Sequence, residues 1–505
     1  MKVRDKAILS ERKARLDVRL DPEWQEEQDR PMLRGGVQRF EMSARTNAIP
    51  CGGIGLVHEF ARSIGLAESI DAHLHVFKRH FPYHESDHVL NMIYNVVAGG
   101  TCLEDIDRLR NDESYMDTLG ALRIPDQTTA GDFLRRCQVE DIVALMRATH
   151  EVRRRVWKRL QKKERALALI DVDGTIAPTL GELKQGMDLS YKGEWGYAPL
   201  IVSLANTREV LYAVNRPGNQ VSHANAPVYM DSAVMLVRSG GFAKVRLRGD
   251  TDFSLTEHFD RWDLDGVQFV FGIDAHALFV ARAQALDSAA FRPLKRRAKW
   301  TVKTTTRARR ENVKERIVRE RGFTSLTTER EEVAEITYQP SKSRRSYRMV
   351  VLKKTIRVEQ GQLRLEDEVR YFFYVTNVPC SELSAEAVIL QANARCDQEN
   401  VIEQLKNGVR AMRMPSDGLL SNWAYLVIVA QAWNLKAWMS ICLPQQDKRE
   451  VLRRMEFRRF VNELVLVPCQ VLKTARAVVL RILAWSRWAG VIIDGHRYFR
   501  EQRFG

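Results

Sequence analysis

The sequence predicts an α/β protein with a mixed-sheet core, interrupted by a β-rich insertion and flanked by helical N-terminal and C-terminal regions. Three observations predict this class. Apolar residues recur at helical spacing from Gly55 to about residue 165 and again from Asp397 onward. At Leu167 the pattern switches to that of a buried strand. Between about 290 and 385 a basic, strand-rich stretch breaks that pattern.

The chain has 505 residues, more than one hydrophobic core accommodates, so several structural units are expected. Hydrophobic residues make up 45% and charged ones 28%, values of a folded chain. Lys and Arg number 79 against 64 Asp and Glu, a net charge of +15. With a pI near 9.5, that balance points to a polyanionic partner, nucleic acid ahead of a lipid surface. Seven scattered cysteines without a C-x-x-C pair exclude a disulfide framework and a zinc ribbon. No stretch approaches the roughly 18 uninterrupted apolar residues of a membrane span, and Met1 to Lys6 opens no signal peptide. The expected setting is cytoplasmic and nucleoid-associated, without a membrane partner.

Residues 1–45 are polar, with Pro31, Gly35 and Gly36 breaking any period, and read as a flexible lead-in. Residues 46–165 read as a helical domain: Leu90, Ile93, Tyr94 and Val97 share one helix face, and Gly99, Gly100, Gly120 and Pro125 punctuate it. Within it, Thr128, Thr129 and Asp132 before Phe133 and Leu134 resemble a helix start.

The core opens over 166–289. Strands are expected from Leu167 to Asp173, where Gly174 can end the strand, and at Leu200 to Leu204, Val210 to Val214, Val245 to Leu247 and Val267 to Phe271, with helices at about 228–239 and 254–263. Three early strands suit an antiparallel meander, and the later β-α-β crossings suit parallel strands. That order is the core of an RNase H-like fold. The insertion, 290–385, opens with Lys295, Arg296, Arg297, Lys299, Lys303, Arg307, Arg309 and Arg310. Its strands are expected at Val333 to Tyr338, Tyr347 to Leu352, Thr355 to Val358 and Tyr371 to Val375. Closing helices of the core follow at 386–440, including a nearly continuous apolar run, Trp423 to Leu435, expected to be buried between domains; 441–505 reads as a helical C-terminal region.

Three acidic residues carry the candidate chemistry: Asp173 and Asp250, each at the end of an expected strand, and Glu399 on an expected helix. Neighbouring strand ends present two carboxylates to one point at a sheet's rim, and a helix across that rim adds a third. Converging carboxylates repel unless cations neutralise them, and hard oxygen ligands select Mg²⁺, with Mn²⁺ as a substitute, over zinc. Taken singly each residue is ordinary: Asp-Gly is a common turn and a helical glutamate is usually solvated. Asp171 lies on the same strand face as Asp173, because side chains two apart point the same way, so direction alone does not separate them.

Ile170-Asp171-Val172-Asp173-Gly174-Thr175, followed by Tyr191-Lys192-Gly193 and Gly196-Tyr197-Ala198-Pro199-Leu200, resembles the first catalytic block of bacterial insertion-sequence DDE transposases with a β insertion, of the transposase DDE domain group 1 type. Arg248-Gly249-Asp250-Thr251-Asp252-Phe253 resembles their second block, and the segment from Asn393 to Gly408 their third. The resemblance runs from roughly residue 50 to 490. It implies that Asp173, Asp250 and Glu399 are the catalytic metal ligands, with Asp173 preferred to Asp171 because it precedes Gly-Thr. It also implies that Arg395 and Lys406 hold DNA phosphate; the four-residue step from Arg395 to Glu399 puts both on one helix face, and Lys406 lies about two turns on, which suits a shared site. Related sequences often carry a tyrosine three residues before that arginine, where this one has Ala392.

The implied function is a cut-and-paste DNA transposase that cuts and joins double-stranded DNA at terminal inverted repeats and inserts it into target DNA. A homodimer on paired DNA ends is the implied assembly. The basic insertion is placed near the cleavage point, where Trp300 can stack on an unpaired base or serve the insertion's own core. Two rival readings remain: another RNase H-like nuclease, and a DNA-binding protein descended from a transposase that has lost catalysis. His73, His75, His80, His84 and His88 cluster but lack the closing ligand pair of a zinc finger, and read as surface histidines.

Overall fold

A strand of the core that lacks apolar and polar alternation needs cover on both of its faces, and the run from Leu167 to Val172 has that character. The computed structural model describes residues 1–21, 38–43, 46–79, 82–296, 313–361, 363–475 and 477–502. The chain divides into two units. One holds 165–174 and 221–399; the other holds 1–164, 175–220 and 400–505.

The first unit is built on a mixed sheet. Its strands, in chain order, are β1 (Leu167–Gly174), β2 (Lys244–Gly249), β3 (Val267–Ile273), β4 (Arg292–Pro293), β5 (Thr324–Tyr338), β6 (Tyr347–Gln360) and β7 (Glu368–Thr376). Across the sheet they run β4-β5-β6-β7-β3-β2-β1. β1, β2 and β3 are parallel neighbours, with Asp171 opposite Arg248 and Gly249 opposite Phe271. The parallel steps require crossovers, supplied by helices α1 (Ala226–Ser239) and α2 (Phe259–Leu264). This mixed sheet with covering helices is the α/β, RNase H-like class that the sequence predicts.

Both faces of the sheet are covered, and β3 illustrates how. Phe269 and Phe271 stack against Phe259 of α2, at ring separations of 4.4 and 5.9 Å. Val270, pointing the other way, joins a core with Val333, Val350 and Leu352 beneath Val388 and Ile389 of helix α4 (Ala385–Asn393), the helix after α3 (Ala277–Gln284). Fully burying one such side chain contributes about 1.5–3 kcal/mol, so the two faces together anchor the strand that carries the insertion. β7 pairs antiparallel with β3, from Phe373 opposite Ile273 to Thr376 opposite Val270. The β strands of the insertion therefore extend the core sheet.

Sequence and structure differ at several elements. Tyr347 to Leu352 and Thr355 to Val358, expected as two strands, form the single strand β6. Lys353 and Lys354 look like a break, but they are satisfied across the sheet opposite Glu332 and Glu331. Val3–Arg19, expected to be flexible, is a helix supported by the four-residue pair Glu11 and Arg15 at 2.7 Å. The helix start expected at Thr128 lies at Asp126, whose carboxylate accepts the Thr129 N–H at 2.8 Å.

In the second unit the apolar run lies inside one long helix, Leu419–Cys442, buried from Ser421 to Cys442. It packs within that unit against the helices Glu85–Val97 and Val139–Trp157 and the strand Glu209–Val214. The expected strands at 200–204 and 210–214 pair as an antiparallel hairpin. Buried Glu209 joins this assembly by accepting hydrogen bonds from Arg153 Nε (2.7 Å), Trp157 Nε1 (2.7 Å) and Trp438 Nε1 (2.6 Å). The C-terminal region is not all helical: Cys469–Lys473 and Val478–Ile482 form strands that pair with each other, and the first also pairs with Asn47–Ile49. Five-residue apolar runs are ambiguous between helix and strand by period alone.

Candidate active site

The parallel register of β1 and β2 sets the position of the acidic residues. Asp171 and Arg248 are the last partners in register, and they form a buried ion pair. Arg248 Nε and Nη2 donate to the two Asp171 oxygens at 2.6 and 2.7 Å, while Nη1 donates to the Gln391 carbonyl of α4 at 3.0 Å. Both Asp171 oxygens are thereby engaged, and its side chain is 1% exposed. Two residues beyond that pair stand Asp173, still within β1, and Asp250, just past the end of β2, 19% and 43% exposed.

Local packing explains the Arg-Gly-Asp sequence. A Cβ on Gly249 would lie 2.7 Å from Phe253 Cβ and 3.0 Å from Phe271 Cδ1. Glycine lets the 3₁₀ turn Thr251–Phe253 fold back onto β3. Asp250 caps that turn, with Oδ1 accepting the Asp252 N–H at 3.1 Å. Its other oxygen is held near Arg395.

Arg395 lies in the turn between α4 and helix α5 (Cys396–Glu403), a correction to its expected place on one helix with Glu399. Its carbonyl accepts the N–H groups of Gln398 (2.8 Å) and Glu399 (3.3 Å), so it stands at the head of the helix that carries Glu399. Its Nη2 lies 3.5 Å from Asp173 Oδ2 and 3.9 Å from Asp250 Oδ2. The Nε is buried without a hydrogen-bond partner. Burial pushes the Asp173 carboxyl up to about 7; Asp250 and Glu399 add to the rise, and Arg395 and the Gly174 N–H oppose it. Asp250 is also raised, chiefly by burial, with Arg395 opposing and Asp252 and Asp274 adding to it.

Asp250, Arg395 and Glu399 line one cavity of about 820 Å³. Its opposite wall comes from the insertion: Arg296, Glu331 of β5, Lys354 of β6, and Tyr371 to Tyr374 of β7. Arg296 Nη2 donates to Glu331 at 2.9 Å, Lys354 lies 3.2 Å from Glu331, and Lys354 also sits 5.1 Å over the Phe372 ring. Sequence reasoning placed the basic insertion near the cleavage point but missed the lining residues of β5, β6 and β7. The signal that could have found them is the aromatic run Tyr371-Phe372-Phe373-Tyr374, with Lys354 at strand spacing. Ala392 and Asn393 at the end of α4 complete the cavity beside Arg395.

Among the described residues, no group of three His, Cys, Asp or Glu side chains is arranged to hold a metal ion. The donor chemistry nevertheless fits one. Two carboxylates face a common cationic group, with a third on the same cavity, and all offer hard oxygen.

Lys406 belongs to the second unit, in the π-helical turn Gln404–Gly408. That turn breaks the 3.6-residue phase from which its common face with Arg395 was expected. Trp300, His80 and the basic residues Arg297, Lys299, Lys303, Arg307, Arg309 and Arg310 lie outside the described residues. Of the other histidines, His88 is not at the surface: it is 2% exposed and stacked on Phe133 at 4.6 Å.

A family model described as transposase DDE domain group 1 matches residues 48–498. No curated protein matches the chain. Among solved structures, a cryo-EM structure of a piggyBac transposase synaptic complex with hairpin DNA is similar at 9% identity, over 83% of this chain and 86% of that one, with a TM-score of 0.33.

Proposed function

The chain belongs to the transposase DDE domain group 1 family and is a transposase, and we propose that Asp173, Asp250 and Glu399 form its catalytic centre for cutting and joining DNA at the inverted-repeat ends of an insertion sequence. The observation that carries this reading is that Asp173 and Asp250, each two residues past the last in-register pair of adjacent parallel strands, face one nitrogen of Arg395, with Glu399 on the cavity that Asp250 and Arg395 line. Asp171 is the weaker candidate for first ligand, since Arg248 occupies both of its oxygens.

Asp173, Asp250 and Glu399 would hold Mg²⁺, with Mn²⁺ as substitute, and the bound cations would supply charge neutralisation for phosphodiester transfer. The protein's own groups orient the rest. Arg395 offers a guanidinium fork for a backbone phosphate next to the carboxylates. The Asp252 N–H fixes the rotamer of Asp250. The insertion wall narrows the approach to the same cavity, with Lys354 and Arg296 giving it a basic rim and Phe372 and Tyr374 giving it ring faces. Lys406 and Trp300 are proposed as further DNA contacts, on phosphate and on an unpaired base.

The proposed substrates are double-stranded DNA with terminal inverted repeats and a target duplex, engaged by a homodimer on paired ends, at the nucleoid of a bacterial host. Among the described residues, no helix is long and apolar enough to cross a membrane. The test is a Mg²⁺-dependent cleavage assay on duplexes carrying the element's flanking ends, with Asp173→Ala, Asp250→Ala and Glu399→Ala compared with wild type after each is shown to fold and bind. Loss of cutting with retained binding in all three supports the assignment. Binding without cutting by wild type, in Mg²⁺ and in Mn²⁺, overturns catalysis in favour of a DNA-binding relic.

A further inference from the structure

Two arginines serve the acidic strand ends in different ways. Arg248 is fully committed: its guanidinium meets Asp171 at 2.6 and 2.7 Å, and the pair is buried. Arg395 is loosely held. One nitrogen is shared between Asp173 and Asp250 at 3.5 and 3.9 Å, beyond good hydrogen-bond distance, and its Nε has no partner. It sits on a turn rather than within a helix or strand, and it lines the open cavity. A guanidinium in this arrangement is a counter-ion that the fold can release.

We propose that Arg395 is an exchangeable counter-ion: without DNA its guanidinium neutralises Asp173 and Asp250 where a divalent cation is to bind, and an incoming backbone phosphate draws it away and opens the carboxylates. This rests on the reading of Asp173 and Asp250 as metal ligands. The driving force is geometric as well as electrostatic. A phosphate accepts two parallel N–H bonds from a guanidinium fork, whereas the present contacts use one nitrogen for two acceptors. Metal and DNA then bind with positive coupling, and by linkage each tightens the other to the same degree. The acidic centre stays neutralised until DNA arrives.

The test measures Mn²⁺ binding rather than turnover. Full-length wild type, Arg395→Gln and Arg395→Lys are titrated with Mn²⁺ by calorimetry without DNA. They are then titrated with a duplex carrying the element's end, and an Asp173→Asn, Asp250→Asn double variant gives the background from DNA-bound metal. Circular dichroism establishes that each variant folds. Without DNA, Arg395→Gln is expected to bind Mn²⁺ about tenfold tighter than wild type, because one nearby positive charge is gone, and Arg395→Lys to stay close to wild type. The duplex is expected to tighten Mn²⁺ binding by wild type about tenfold and by Arg395→Gln far less. The wild-type comparison needs no variant at residue 395. Equal affinities for wild type and Arg395→Gln, or no effect of the duplex on wild type, overturn the exchange. Mn²⁺ binding no stronger than in the double variant, with and without DNA, overturns instead the metal-ligand reading on which it rests.

Discussion

Asp173 and Asp250 share one nitrogen of Arg395, at 3.5 and 3.9 Å, and each lies two residues beyond the Asp171 and Arg248 pair, the last in-register partners of two parallel strands. The same face of the sheet thus carries a closed ion pair and, one step outward, an open pair of carboxylates. The inner pair is structural in character: burial makes it costly to break, and its register holds the outer pair in place. This division predicts opposite effects for two similar substitutions.

Asp171→Asn is expected to destabilise the protein by about 3–5 kcal/mol, because it leaves Arg248 buried and uncompensated. Asp173→Asn is expected to stabilise the metal-free protein at pH 8. The folded state raises the Asp173 carboxyl to about 7, so its ionised form is disfavoured there. The resulting cost is absent below the unfolded value near 4, grows as pH rises toward 7, and is fully present above it. The gain at pH 8 is on the order of a few kcal/mol. Urea denaturation of both variants at that pH checks the prediction, and a loss of stability in Asp173→Asn contradicts it.

The same sign governs metal binding. A proton held on Asp173 competes with a cation, so Mg²⁺ is expected to raise Tm more at pH 8 than at pH 6, with the change centred near pH 7. Thermal unfolding with and without Mg²⁺ measures the difference, and Asp173→Asn should remove its pH dependence. Equal Mg²⁺ shifts at both pH values would count against Asp173 as a ligand.

Much of this arrangement was legible in the chain, and the illegible part has a physical reason. Leu167 to Ile170 and Val245 to Leu247 advertise buried strands, so the strand ends bearing Asp173 and Asp250 could be placed from local pattern. The pairing of β7 with β3 depends on residues about a hundred positions apart, and no local period encodes it. The insertion was placed near the cleavage point by its basic residues, but for that reason the strand residues by which it walls the cavity were not legible, Lys354 among them, which resembled a strand break. Arg395 illustrates the limit of spacing arguments. A four-residue step to Glu399 fits a common helix, but the backbone turns at Ala394 and Arg395, and α5 begins after them. The helical pattern from Asp397 likewise hid the π-helical turn at Lys406.

Gly249→Ala tests how closely the second acidic residue depends on its neighbour. The added methyl would meet Phe253 Cβ at 2.7 Å, inside van der Waals contact, and must displace the turn that Asp250 caps. Overpacking of this kind typically costs about 1–3 kcal/mol. The expected outcome is a folded protein of lower Tm whose Mg²⁺-dependent cleavage falls by more than its DNA binding. Unchanged cleavage with unchanged Tm would show that the turn relaxes without moving Asp250.

His88 provides a pH test remote from the acidic centre. It is 2% exposed, its ring lies parallel to Phe133 at 4.6 Å, and its Nδ1 has no hydrogen-bond partner. Burial lowers its pKa from 6.5 to about 4, so the folded state holds the ring neutral. For a base lowered in this way, the favourable contribution is present above the unfolded value near 6.5 and is lost as pH falls toward 4. The full loss is up to about 3 kcal/mol. Other groups also titrate over that range, so the diagnostic quantity is the slope of stability against pH rather than stability itself. His88→Phe keeps an aromatic ring against Phe133 and removes the titration, whatever its packing costs. Urea midpoints measured from pH 7 to pH 4.5 should show a slope smaller by close to one proton in the variant. An unchanged slope would mean that the wild-type ring already takes up its proton within the fold.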